Sequence, residues 1–212
     1  MLNLPNIITL LRLIMVLVFT VSLSSGSLAQ PDVASIEQLP QGAWFSPISV
    51  AACVALWAFI IGAVSDFFDG HLARKYGLVT NLGKLLDPLA DKILVCAAFV
   101  YLTSVGLCPF WVTALIIFRE FLVTGLRQLA IMQGVVIAAD RSGKWKTGLQ
   151  LAFCIACMVY LAYGANLPRP LYDLSVGESG AWCRALLLWS SLALTLWSGA
   201  HYCRQSSHLL RR

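Results

Sequence analysis

Ile48 to Gly77 reads ISVAACVALWAFIIGAVSDFFDGHLARKYG. Its first seventeen residues, Ile48 to Val64, carry no charge, and the run then ends on Asp66 and Asp69. A hydrocarbon layer roughly 30 Å thick needs about 20 apolar residues of helix to cross it. The apolar part therefore reads as a membrane span, and the aspartates as residues at its edge. The whole chain is of the same character. Of 212 residues, 59% are hydrophobic and 12% charged, with a mean hydropathy of +0.79, which excludes an ordinary soluble domain with one large core.

Six apolar windows of spanning length lie near 5–23, 48–66, 87–105, 109–131, 145–164 and 182–203. Lipid cannot satisfy free backbone N–H and C=O groups, and no closed-barrel alternation is present, so each window is expected to be a helix. The fold class expected is all-α: a polytopic membrane protein of six transmembrane helices, with one domain over 1–212. Lys and Arg orient it. Arg74, Lys75 and Lys84 follow the second window, Arg141, Lys144 and Lys146 follow the fourth, and Arg204, Arg211 and Arg212 follow the sixth. The segments 24–47 and 105–109 have none. By the positive-inside rule both termini are cytoplasmic, in a multi-pass protein of the cell inner (cytoplasmic) membrane. The net charge of +5 then reflects that bias and attraction to anionic lipid in the bilayer, and nucleic acid is not an expected partner. A cleaved leader is disfavoured because the first charge, Arg12, lies inside the apolar run, and Asn6, Thr9 and Arg12 form a polar strip on one helix face.

Seven cysteines add little. Cys154 and Cys157 form a C-x-x-C, but it is centred in an apolar window without histidine, so small hydrophobes are expected rather than a zinc or redox centre.

The acidic residues are specific. Four of the ten, Asp66, Asp69, Asp87 and Asp91, fall within 26 residues. On a continuous helix Asp66, Asp69, Gly70, Ala73 and Arg74 share an arc of about 140°. Asp87 and Asp91 stack at i, i+4 on the next helix, and Gly77 and Asn81 between them suit a tight reversal. Four carboxylates converging at a membrane edge repel unless cations hold them. An all-oxygen donor set without Cys or His suits a hard divalent ion, Mg2+, Mn2+ or Ca2+, and argues against zinc. Two such ions in one site form the clamp used for displacement at phosphorus. Gly70 and Gly83 would let a bulky ligand approach the backbone. A purely structural reading accounts for one aspartate: Asp87 before Pro88 looks like an N-cap with proline at N1, starting the third helix there.

The pattern Asp66-x2-Asp69-Gly70-x2-Ala73-Arg74-x8-Gly83-x3-Asp87-x3-Asp91 resembles, without a departure, the signature of the CDP-alcohol phosphotransferase family. The resemblance implies a six-helix membrane enzyme, a homodimer, that cleaves a CDP-alcohol and passes its phosphoalcohol to a hydroxyl acceptor with release of CMP. It implies a two-metal site of Mg2+ or Mn2+ on Asp66, Asp69 and Asp87, with Asp91 as a further ligand and the general base. It implies a cytidine diphosphate surface of Gly70, Ala73 and Arg74, joined by Asp66, Asp69, Gly83 and, from the first helix, Asn6 and Thr9.

Three further segments, NLPNIITLLR (3–12), FREFLVTGLR (118–127) and GKWKTGLQ (143–150), resemble those of bacterial phosphatidylglycerophosphate synthases within that family. Arg119 in an apolar window is costly without a partner or ligand. It lies eight residues and about 80° from Arg127, and Lys144 and Lys146 start the next window at the same level. These four are expected to bind the acceptor's phosphate, because guanidinium forks match phosphate oxygens. The expected substrates are thus CDP-diacylglycerol and sn-glycerol 3-phosphate. Inositol phosphate would need the same cations, whereas serine or a second phospholipid would make other demands. A competing account has Arg119 paired with Glu120 and the lysines serving only the positive-inside bias. Outside the enzyme class, the aspartates could line a cation path in a channel or transporter, which leaves their clustering at one edge unexplained.

Overall fold

The computed structural model describes the backbone of residues 4–24, 47–76, 81–132, 141–163 and 177–206, and the side chains of 10–23, 50–65, 92–130, 143, 145–163 and 177–204. Six helices account for nearly all of it: α1 (Leu4–Ser24), α2 (Pro47–Tyr76), α3 (Asn81–Ser104), α4 (Phe110–Met132), α5 (Arg141–Tyr163) and α6 (Glu178–Ser206). The chain is all-helical among the described residues, with one helix for each apolar window.

One boundary differs from expectation, the start of α3, while α2 is continuous through Asp66–Arg74, as their shared arc requires. Helix α2 continues ten residues past the end of its apolar window, through Tyr76. Helix α3 begins at Asn81 rather than at Asp87. Asp87 is therefore not an N-cap: it lies almost two turns inside α3, and Pro88, having no N–H, takes a hydrogen bond away from the helix interior there. Hydropathy marks what meets lipid, whereas a helix continues as long as its backbone bonds are satisfied. Both aspartate pairs consequently stand on helix rather than in a loop.

The helices run alternately up and down. Phe19 of α1 meets Phe59 of α2 at 5.9 Å between ring centroids, and Met15 lies near Gly62, so residue numbers rise along α1 as they fall along α2. On α3 and α4, Thr103 hydrogen-bonds Thr113 at 2.6 Å while Lys92 reaches Glu120. Helix α5 runs parallel to α3, with Phe99 stacked on Phe153 at 5.6 Å. Helix α6 runs parallel to α4, through Trp111 beside Trp189 at one end and Arg127 beside Tyr202 at the other. Helix α3 is central, touching α1, α2, α4 and α5, while α6 packs on α4 and α5. The start of α1, the end of α2, the start of α3, the end of α4, the start of α5 and the end of α6 thus gather at one end of the bundle, called here the site end.

At the opposite end α3 and α4 are joined by a short reversal. Leu107 N–H bonds the carbonyl of Leu102 at 2.9 Å and Gly106 N–H that of Thr103 at 3.1 Å. Gly106, at φ 76°, supplies the left-handed residue that this helix-ending motif requires.

The core is a continuous apolar cluster in which Phe59, Phe99, Leu102 and Val112 are fully enclosed. The outer surface is also apolar: Leu17, Trp57, Phe118, Trp182, Leu186 and Trp197 all stand exposed. Scattered around every side of a bundle, such groups are more than a single docking patch. Among the described residues one helix, Trp145–Tyr163, is by itself long and apolar enough to cross a membrane, and shorter apolar stretches run over Leu10–Leu23, Val50–Ser65 and Lys92–Ser104.

Gly62 sets how closely α2 meets α3. A Cβ there would lie 2.9 Å from Leu94 Cδ2 and 3.7 Å from Met15 Cβ. Gly62→Ala is expected to be absorbed by rotation of Leu94, whereas Gly62→Leu forces the helices apart and is expected to cost about 1–3 kcal/mol. Thermal melting of the purified protein checks this, with a drop of several degrees for Leu and little change for Ala.

Candidate functional site

The close approach at Gly62 and Leu94 aligns the sequence motif. Asp66 and Asp69 follow Gly62 by four and seven residues on α2, and Asp91 and Asp87 precede Leu94 by three and seven on α3. The two helices are antiparallel, so both pairs lie on the site-end side of that contact, one to two turns beyond it at about 1.5 Å per residue. Gly70, Ala73 and Arg74 occupy the last turns of α2, and Gly83 the first turn of α3. Asn6 and Thr9 are on the first turns of α1, at the same end. The side chains of all these residues lie outside those described. Their backbones bring the whole signature to one end of the bundle.

Among the described residues no three His, Cys, Asp or Glu side chains gather as a metal site. Asp66, Asp69, Asp87 and Asp91, whose side chains lie outside those described, offer a donor set that would fit a hard divalent ion: four carboxylate groups on two helices that approach each other at Gly62, offering oxygen alone. The cysteines do not compete. Cys154 and Cys157 are buried free thiols in the core.

Beside the aspartates lies a buried ionic cluster centred on Glu120. Its Oε2 accepts from Lys92 Nζ at 3.2 Å. Its Oε1 accepts from Arg119 at 3.2 Å and also from Lys146. Glu120 is 7% exposed, Arg119 8% and Lys146 3%, so these are not solvated surface pairs. Three helices contribute, and α6 adds a fourth through Ser198, whose Oγ accepts from Arg119. Lys92 directly follows Asp91 on α3, placing the cluster one residue from the signature.

Helix α6 makes room for this by its sequence. Ser191, Thr195, Ser198 and Tyr202 recur on one buried face. Thr195 accepts from Gln150 of α5 at 3.2 Å, and Tyr202 OH accepts from Arg127 Nε at 3.3 Å, with the guanidinium 5.7 Å from the ring centre. Gly199 is needed for close approach: a Cβ there would stand 3.0 Å from Arg119 Cγ.

Of the four cations expected to bind acceptor phosphate, the structure brings Arg119 and Lys146 together on Glu120. Arg127 lies two turns further along α4, held by Tyr202. The Lys144 side chain lies outside those described. The pairing of Arg119 with Glu120, raised from the sequence as a competing account, is present, yet it leaves three cations on one carboxylate. Glu120, Ser198 and Tyr202 were not foreseen as site residues. A charged residue in an apolar window was the available signal for Glu120.

The chain matches known proteins over nearly its whole length. The family model for CDP-alcohol phosphatidyltransferase matches residues 2–197. A Bacillus subtilis protein named CDP-diacylglycerol–glycerol-3-phosphate 3-phosphatidyltransferase is 37% identical over 211 residues, covering 100% of this chain and 98% of its own. A Rickettsia felis protein of the same name is 30% identical over 200 residues, covering 94% and 93%. A Mycobacterium tuberculosis protein named probable phosphatidylglycerophosphate synthase is 44% identical over 149 residues, 70% of this chain and 62% of its own. With the aspartate signature carried on two helices that meet at Gly62 and the match running almost end to end, the chain belongs to the CDP-alcohol phosphatidyltransferase family.

Proposed function

We propose that the protein transfers the phosphatidyl group of CDP-diacylglycerol to sn-glycerol 3-phosphate, giving phosphatidylglycerophosphate and CMP. The observation that carries the choice of acceptor is the surplus of positive charge among the described side chains of the site end, where the buried Arg119 and Lys146 and the partly exposed Lys92 face Glu120. A phosphate monoester brings the missing negative charge, and serine does not. Relatives covering the whole chain carry the matching name.

In this reading Gly70, Ala73 and Arg74, with Asn6, Thr9 and Gly83, receive the cytidine diphosphate. Asp66, Asp69, Asp87 and Asp91 hold two divalent ions, Mg2+ or Mn2+, consistent with a family that depends on divalent metal. When bound, the ions offset negative charge on the diphosphate and on departing CMP. Arg119, Lys146, Arg127 and Lys144 bind the acceptor's phosphate and hold its hydroxyl toward the lipid-bearing phosphorus. Asp91 takes the hydroxyl proton as the new P–O bond forms and the bond to CMP breaks. A single displacement needs no covalent intermediate. The exposed apolar surface supports membrane spans; six of them with both termini cytoplasmic rest on the apolar windows and the placement of Lys and Arg, and a homodimer of the inner membrane is part of the same proposal. Inositol phosphate as acceptor would use the same cations and is the alternative.

The deciding assay supplies CDP-diacylglycerol with glycerol 3-phosphate, inositol phosphate or serine and follows CMP release. Turnover is expected with glycerol 3-phosphate, with apparent affinity for it lowered about tenfold or more in Arg119→Ala. Use of serine in its place, or unaltered affinity in that variant, overturns the assignment. Asp66→Asn, Asp69→Asn, Asp87→Asn and Asp91→Asn are each expected to lower turnover about 100-fold or more in folded protein. Near-normal rates in two of them would remove the two-metal site. For topology, a membrane-impermeant thiol reagent is expected to label a cysteine placed at Ser35 from outside, and one placed at Tyr76 only from the cytoplasm; the reverse pattern inverts the orientation.

A further inference from the structure

We propose that Glu120 is the positioning residue of the acceptor site, holding Lys146 and Arg119 so that their remaining donors face an incoming phosphate monoester. The inference rests on the acceptor reading above. Both carboxylate oxygens of Glu120 are turned to cations, Oε1 to Arg119 and Lys146 and Oε2 to Lys92. The cations are only partly used by it. Lys146 carries three N–H donors, of which Glu120 takes one. Arg119 gives one nitrogen to Glu120 and one to Ser198, and its Nε has no hydrogen-bond partner among the described residues. Lys146 is thus anchored at one point and Arg119 at two, each with donors left over.

Stability alone does not account for such a junction. A buried ion-pair cluster replaced by packed apolar groups is often no less stable. Three cations round one carboxylate leave two positive charges uncompensated among these four groups, which is unfavourable in a buried setting until an anion arrives. A phosphate monoester carries a charge of about −1.5 to −2 at neutral pH. Glu120 therefore does two things: it offsets the repulsion that would otherwise drive Lys92, Arg119 and Lys146 apart, and it leaves a charge deficit of the size that one phosphate supplies. Without it the long lysine side chains would extend to the aqueous edge. Gly199 and Ser198 fix the same arginine from the opposite side.

The test measures KM for both substrates and kcat in Glu120→Gln, which keeps the shape and removes the charge. KM for glycerol 3-phosphate is expected to rise about tenfold or more, with KM for CDP-diacylglycerol and kcat within about threefold of wild type. Because Glu120 acts through Lys146 and Arg119, the loss in the double variant with Lys146→Met is expected to be less than the sum of the two single losses. Unchanged KM for glycerol 3-phosphate, an equal rise in both KM values, or additive losses in the double variant each overturn the proposal. Should Glu120→Gln fail to fold, Glu120→Asp decides: it retains the charge at shorter reach, and a selective rise in acceptor KM supports the proposal while an unselective or absent one overturns it. The two readings fail differently. A wild-type enzyme that uses inositol phosphate instead refutes the assigned acceptor, and Glu120 is then judged by KM for that phosphate. One that uses only serine refutes both.

Discussion

A bundle whose inside and outside are both apolar can hold charge only where charges satisfy one another. Glu120 is where this happens. A lysine from α3, an arginine from α4 and a lysine from α5 converge on its two oxygens, and a serine of α6 holds the arginine from behind. In a low-dielectric interior each of these groups alone would be costly; together they tie four helices at one end. The small residues complete the constraint. Gly62 lets α2 close on α3, and Gly199 lets α6 close on Arg119.

How much of this the sequence reveals depends on the range of each interaction. The aspartates are legible because their spacing is local and their donor chemistry is unusual for an apolar chain. Six helices are legible because lipid imposes one length on each of them. The start of α3 is not, since an apolar window ends where lipid contact ends, and a helix with polar residues on a sheltered face extends beyond it. Asp87-Pro88 has the composition of a helix start, yet α3 is already almost two turns old there.

Glu120 is hidden for a different reason. Neighbours at i, i+1 point about 100° apart on a helix and ordinarily do not face each other, so the sequence offers the Arg119–Glu120 pair only as one of two competing accounts. The arginine is long enough to fold back across that angle. Lys92 and Lys146 are 28 and 26 residues away in the chain, distances at which only the packing of α4 and α5 against their shared neighbours α3 and α6 can join them. The hydroxyl face of α6 is periodic and could be read as a buried stripe, but its partner helices could not.

The short reversal after α3 acts on the site as a fulcrum. Gly106 and the Thr103–Thr113 hydrogen bond fasten α3 to α4 at the far end, so the angle between the two helices there decides how far apart their other ends stand. Lys92 lies eleven residues from Thr103, a lever arm of about 16 Å at 1.5 Å per residue. A splay of about 5° at the fulcrum would displace Lys92 from Glu120 by roughly 1.4 Å, enough to take a 3.2 Å contact beyond hydrogen-bond range. The ionic junction thus closes the α3–α4 pair at the end opposite their turn, and keeping Lys92 on Glu120 requires the angle between these two helices to hold within a few degrees.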